Sequence, residues 1–90
     1  MGDFELFYIR DKMKREVDFC VTKDGYPWLL LEVKSSEKAL SPALVHYSEL
    51  LRPEFSIQLL PEGAPRREQY SSQGARIQMI AIDEFLSALN

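Results

Sequence analysis

The chain has 90 residues and a net charge of −3, with 46% hydrophobic and 28% charged residues. That balance is too apolar for a disordered segment, and it gives no global basic field, so contact with nucleic acid would need a local patch. One small domain is the expectation, near the lower size limit of what a single core stabilises. No apolar run approaches the roughly 18 residues of a membrane span and no signal-peptide pattern occurs, so a cytoplasmic chain without membrane contact is expected.

Phe4 to Arg10 predicts a first strand, with Phe4, Leu6 and Tyr8 on one face and Phe7 and Ile9 on the other. Asp11 to Arg15 is a charged turn. Arg15 to Val21 and Trp28 to Lys34 then read as two further strands, joined by turn chemistry at Asp24-Gly25. The single cysteine, Cys20, lies inside the second and is expected to be a buried small hydrophobe, with no intramolecular disulfide open to it. Trp28 is expected in the core or at an interface. After the polar run Ser35-Ser36-Glu37-Lys38, Ser41 reads as a helix cap with Pro42 at the first helical position. Leu40, Leu44, Tyr47 and Leu51 form an apolar stripe at helical spacing, and Pro53 stops the helix near Leu51 or Arg52.

Phe55 to Leu60 predicts a buried fourth strand, parallel to the third through a right-handed crossover. Pro61 to Gly74 reads as a long polar loop and Arg76 to Ala81 as a last strand. Asp83 is placed as the cap of a short helix from Glu84 to Leu89, with Phe85, Leu86 and Leu89 docking it. The expected fold is α/β of the α+β type: a mixed sheet in the order β-β-β-α-β-β-α.

The charges inside the second and third strands ask for an explanation. Alternation puts Glu16 and Asp18 on one face of their strand, and Glu32 and Lys34 on one face of theirs. Charged groups are costly to bury unless paired, hydrogen-bonded or metal-bound. Asp18 opposes Glu32, and Glu16 opposes Lys34, only if paired residue numbers add to 50. That register predicts an odd-length loop such as Asp24-Gly25-Tyr26, with Val17, Phe19, Leu31 and Val33 together on the other face. A two-residue turn would instead set the carboxylates opposite Leu31 and Val17.

Two such carboxylates suit Mg²⁺, with the Val33 carbonyl and waters completing its shell. Lys34 would activate water or steady charge on a phosphate, and Glu16 would pair with Lys34 or add a ligand. Tyr47 is an auxiliary candidate reaching over from the helix. Lys12, Lys14 and Arg15, and separately Arg66 and Arg67, are candidate phosphate contacts. The plainer alternatives are an ionic cluster without substrate, a Tyr47 that only packs, and basic turns facing solvent. His46, off the apolar stripe, reads as a surface residue.

Asp18, followed by a turn, an apolar strand with Glu32-Val33-Lys34 and then a helix, resembles the PD-(D/E)xK nuclease-like core. More narrowly, Arg15-Glu16-Val17-Asp18-Phe19 with Leu31-Glu32-Val33-Lys34-Ser35-Ser36 is similar to the C-terminal domain of a prokaryotic ATPase family. The N-terminal half of that family is an AAA-type P-loop module. Ile80 to Leu86 matches its closing strand and helix, so the resemblance runs from Leu6 to Leu89. It implies a restriction-endonuclease-like core and Mg²⁺-dependent phosphodiester hydrolysis, with Asp18 and Glu32 on the metal and Lys34 catalytic.

Two departures stand out. The acidic helix that precedes the first strand in many such enzymes is missing, leaving only Asp3 and Glu5, and no phosphate-binding loop G-x-x-x-x-G-K-[ST] occurs. Residues 1–90 are therefore expected to be one nuclease-like domain, a fragment or truncated relative of a longer ATPase whose ATPase module is absent. The rival expectation is a non-catalytic protein-interaction or dimerisation domain that keeps the fold, completing its burial as a homodimer.

Overall fold

A computed structural model describes residues 2–34 and 39–89. The polar run at 35–38 lies outside the described residues. The strands are β1 (Phe4–Arg10), β2 (Glu16–Lys23), β3 (Tyr26–Val33), β4 (Phe55–Leu60), β5 (Arg67–Tyr70) and β6 (Arg76–Ala81), and the helices are α1 (Pro42–Leu51) and α2 (Ile82–Ala88). Together they make a small α+β domain around a six-stranded mixed sheet in the order β1-β2-β3-β4-β6-β5. β1, β2 and β3 form an antiparallel meander, β3–β4 and β4–β6 pair parallel, and β5 closes the far edge antiparallel to β6.

One helix covers each face. On the first, Val17, Cys20, Leu30 and Ile77 pack with Leu44 of α1, and Leu40, Tyr47 and Leu51 extend that contact as the stripe predicts. On the second, Ile57, Leu59 and Ile80 pack against Ile82 and Phe85 of α2. Strand β4 is buried from Ser56 to Leu60 as expected, although its α1-facing positions include polar Ser56 and Gln58. Burial of such groups needs partners. Ser56 bonds Ser48 of α1 at 2.7 Å, while Gln58 accepts the Ser41 N–H at 2.8 Å and donates to the Ala39 carbonyl at 2.9 Å. Cys20 is a buried free thiol, as predicted.

Several expectations are corrected. The stretch 61–74 contains a strand, β5, so the order is β-β-β-α-β-β-β-α. All four β5 residues are exposed, so no apolar alternation marks the strand; its pairing with β6 and the 2.8 Å Arg76–Glu68 bridge hold it. Helix α2 begins one residue before Asp83, which caps the Gly63 N–H at 3.1 Å rather than its own helix. Leu86 and Leu89 remain exposed, leaving Phe85 and Ile82 to dock α2.

The loop of the β2–β3 hairpin is also shorter than expected. Asp24 (φ 52) and Gly25 (φ 82) are left-handed and form a two-residue turn, pairing Thr22 with Pro27 and Lys23 with Tyr26. An extra residue, Trp28, then bulges from β3, and beyond it Val21–Leu29, Cys20–Leu30 and Phe19–Leu31 follow the anticipated total of 50. Trp28 packs edge-on to Phe4 and Phe55, with centroids 5.3 and 5.6 Å away. A second irregularity, two β2 residues (Asp18 and Phe19) facing one β1 residue (Tyr8), carries Val17 into the α1-side core. The face proposed for Val17, Phe19, Leu31 and Val33 is therefore broken: Val17 is buried, whereas Phe19 and Val33 are exposed.

Candidate functional site

The parallel register sets Glu32 beside Gln58, on the sheet face that α1 covers. Gln58 grips both sides of the chain entering α1, through Ala39 and Ser41, and so places the helix N-terminus near Glu32. Ser41 caps that helix, its hydroxyl accepting the Leu44 N–H at 3.2 Å. A cleft of about 340 Å³ opens here, between the β1–β2 turn, the end of β3 and the start of α1. Lys14, Arg15, Glu16, Glu32, Lys34 and Ser41 line it.

Glu32 is 8% exposed and its Oε2 has no hydrogen-bond partner among the described residues. Lys34 Nζ stands 3.8 Å from Oε1, a loose ion pair. Burial pushes the Glu32 carboxyl above the ordinary glutamate range, against the opposing pull of a Ser41 hydrogen bond and the Lys34 ammonium. Asp18 and Glu16 push in the same direction as burial. A glutamate in this condition is poised to gain from an added cation, which would answer both its orphaned oxygen and its neighbours' charges.

Sequence reasoning joins Asp18, Glu32 and Lys34, and the structure separates their duties. The ladder of opposed residues stops at Phe19–Leu31, so neither an Asp18–Glu32 nor a Glu16–Lys34 pair is formed in it. Asp18 Oδ2 instead accepts the Val33 N–H at 2.8 Å, closing the hairpin end, while the Lys34 N–H passes to Leu59 of β4 at 3.0 Å. Glu16 pairs with its cross-strand neighbour Arg10 at 3.3 Å rather than with Lys34. Among the described residues no group of three or more His, Cys, Asp and Glu is arranged to hold a metal.

The Tyr47 hydroxyl is engaged by Asp11, donating to Asp11 Oδ2 at 2.6 Å. His46 stacks edge-on to Tyr47 with centroids 4.9 Å apart. Lys14 and Arg15 border the cleft and Lys12 is exposed on the same turn, whereas Arg66 is engaged by Glu84 at 3.3 Å. The residues that reasoning missed are Asp11 and Gln58. An aspartate opening a turn before Arg15 carried a signal for the first; a lone glutamine in an apolar strand carried one for the second, as a buried amide demands partners.

Comparison of the chain with protein-family models, with curated proteins and with solved structures finds no match. The site's chemistry must speak for itself.

Proposed function

We propose that the chain is a PD-(D/E)xK nuclease-like domain, with a restriction-endonuclease-like core, that acts on phosphodiester bonds with a divalent cation. The observation carrying this reading is Glu32: a buried carboxylate with one oxygen unpartnered among the described residues, at a cleft edged by Lys34, Lys14 and Arg15. Hard oxygen donors of this kind fit Mg²⁺: Glu32 and Glu16 line the cleft, and Asp18, whose Oδ2 accepts the Val33 N–H, would join Glu32 on the ion through Oδ1. When bound, the ion would act as a Lewis acid toward a phosphoryl oxygen and acidify a coordinated water.

The protein's own groups supply the rest. Lys34 offers an ammonium beside Glu32, suited to charge that grows on a phosphate in the transition state. Lys14 and Arg15 supply phosphate contacts at the cleft mouth, where Arg15 has a planar fork and Lys14 a point charge. As in the family it resembles, the domain would work beside an ATPase module.

Cleavage of labelled DNA and RNA in Mg²⁺ or Mn²⁺ tests the reading, comparing the parent chain with Asp18→Ala, Glu32→Gln and Lys34→Ala. The expected result is activity in the parent that falls by roughly a hundredfold or more in each variant. Undiminished activity in Glu32→Gln would sink the assignment.

A second reading, an interaction or dimerisation module, is favoured by β1. This edge strand leaves Phe4, Leu6, Phe7 and Tyr8 each about half exposed or more. Apolar edge strands template pairing with another chain.

A further inference from the structure

The turn between β1 and β2 is built around one carboxylate. Asp11 Oδ1 accepts the N–H groups of Met13 at 2.9 Å and Arg15 at 3.0 Å. Its Oδ2 accepts Arg15 Nε at 2.7 Å and the Tyr47 hydroxyl at 2.6 Å. The backbone closes on itself as well, with the Asp11 N–H donating to the Arg15 carbonyl at 3.1 Å and the Lys14 N–H to the Asp11 carbonyl at 3.0 Å. These bonds hold Lys14 at φ 62, a left-handed conformation that costs a side chain of this kind about 1 kcal/mol. Asp11 is held well below the usual carboxylate range, first by the Tyr47 hydroxyl and further by Arg15 and Met13, so it remains an anion and an acceptor for all four donors.

The arrangement has a direction. Tyr47 belongs to α1, and the same helix begins at Ser41 on the cleft. Turn and cleft are thus referred to one rigid element. The consequence is that Lys14 and Arg15 stand at the cleft with Lys34 and Glu32 instead of sampling the solvent around a loose loop. Charge alone gives no reason for Asp11, because an anion among Lys12, Lys14 and Arg15 weakens the local attraction for phosphate. Order does give one, since a preformed turn does not have to be immobilised on binding.

We propose that Asp11 is a positioning residue for binding the phosphodiester backbone of a nucleic acid. Through Tyr47 and the turn's own N–H groups it fixes Lys14 and Arg15 at the mouth of the Glu32 cleft. The inference rests on the nucleic-acid reading given above and adds to it the device that aligns the backbone.

The test is oligonucleotide binding, followed by fluorescence anisotropy over a range of salt, for the parent chain, Asp11→Asn, Tyr47→Phe and the double variant Lys14→Ala with Arg15→Ala. Electrostatics and positioning predict opposite signs: Asp11→Asn makes the turn more positive, so charge alone tightens binding, whereas loss of order weakens it. The expected result is binding roughly fivefold weaker in Asp11→Asn, with a salt slope shallower by about 1 to 2, approaching the double variant. Tyr47→Phe moves the same way by a smaller factor, and it carries the test if circular dichroism finds Asp11→Asn unfolded.

Binding by Asp11→Asn equal to or tighter than the parent's overturns this inference alone. Absence of binding by the parent chain overturns the nucleic-acid reading and this inference with it. Amide exchange gives an independent check: the Met13 and Arg15 amides are protected in the parent and released in Asp11→Asn, and fast exchange of both in the parent refutes the hub whatever the binding result.

Discussion

At the residue scale, Glu32 and Asp11 show the same side-chain chemistry driven in opposite directions by surroundings. Asp11 sits in a nest of donors that favours its anion, and Glu32 sits in a dry corner that disfavours its own. The linkage follows. Glu32 has a folded pKa above its ordinary 4.5, so between those two values the native state binds a proton that the unfolded chain has lost. Its ionisation therefore lowers stability as pH rises through that window, and the penalty is fully present above it. Asp11 acts the other way: its contribution is present above the ordinary 3.8 and is lost as pH falls toward its lower folded value. Glu32→Gln is expected to be more stable than the parent by about 1 kcal/mol near pH 7. The advantage shrinks toward about pH 4, where the parent's own carboxyl is protonated. Thermal unfolding of both proteins across that range checks this, and equal stability at neutral pH would mean that Glu32 has a partner in solution. A carboxylate whose ionisation is disfavoured by burial while it faces a cleft supports the proposed cation site.

At the element scale, irregularities decide what the strands present. The tight Asp24-Gly25 turn alone would have left Asp18 and Glu32 out of step, and the bulge at Trp28 restores the register that brings Cys20 opposite Leu30. The register expected from the sequence holds for three pairs, Val21–Leu29 to Phe19–Leu31, but the charged pairs it was argued from, Asp18–Glu32 and Glu16–Lys34, are not formed in the ladder. The sequence did not reveal how the register is reached, since a bulge and a longer loop shift the pairing by the same single residue. The second irregularity, at Asp18-Phe19, was equally hidden and moves Val17 into the core. Gln58 does comparable work for α1, as the buried link that ties the helix entrance to β4. Gln58→Leu keeps the volume but strands the Ser41 N–H and the Ala39 carbonyl, and an expected loss of about 2 kcal/mol would appear as a lower urea midpoint. A midpoint unchanged from the parent's would show that water replaces the amide without cost.

At the scale of the whole molecule, the sheet has unequal edges. β5 is short and carries Arg67, Glu68 and Gln69, which discourages pairing with another chain. β1 is seven residues long, free of proline and largely apolar on both faces. Self-association through β1 is the expected outcome, with the parent chain sedimenting as a dimer at micromolar concentration and Leu6→Lys as a monomer. A monomeric parent chain would remove the support that β1 gives to the interaction reading. The two readings of function are separable at this scale, because the Glu32 cleft lies between the β1–β2 turn and α1 rather than along the outer edge of β1. No helix among the described residues is long and apolar enough to cross a membrane.

The sequence by itself determined the elements that carry strong periodic or capping signals: β1 to β4, β6, the α1 stripe with its Ser41 cap, and the parallel pairing of β3 with β4. Such signals are local, since a cap, a turn or an alternating run is written in a few neighbouring residues. It also singled out Glu16, Asp18, Glu32 and Lys34, whose charges are conspicuous in apolar strands. Tertiary structure alone decided what those charges meet. It sent Asp18 to the Val33 N–H and Glu16 to Arg10, left Glu32 with an oxygen unpartnered among the described residues, and joined Tyr47 to Asp11 across 36 positions of chain. Those outcomes depend on bulges and on long-range hydrogen bonds, and neither leaves a period in the sequence.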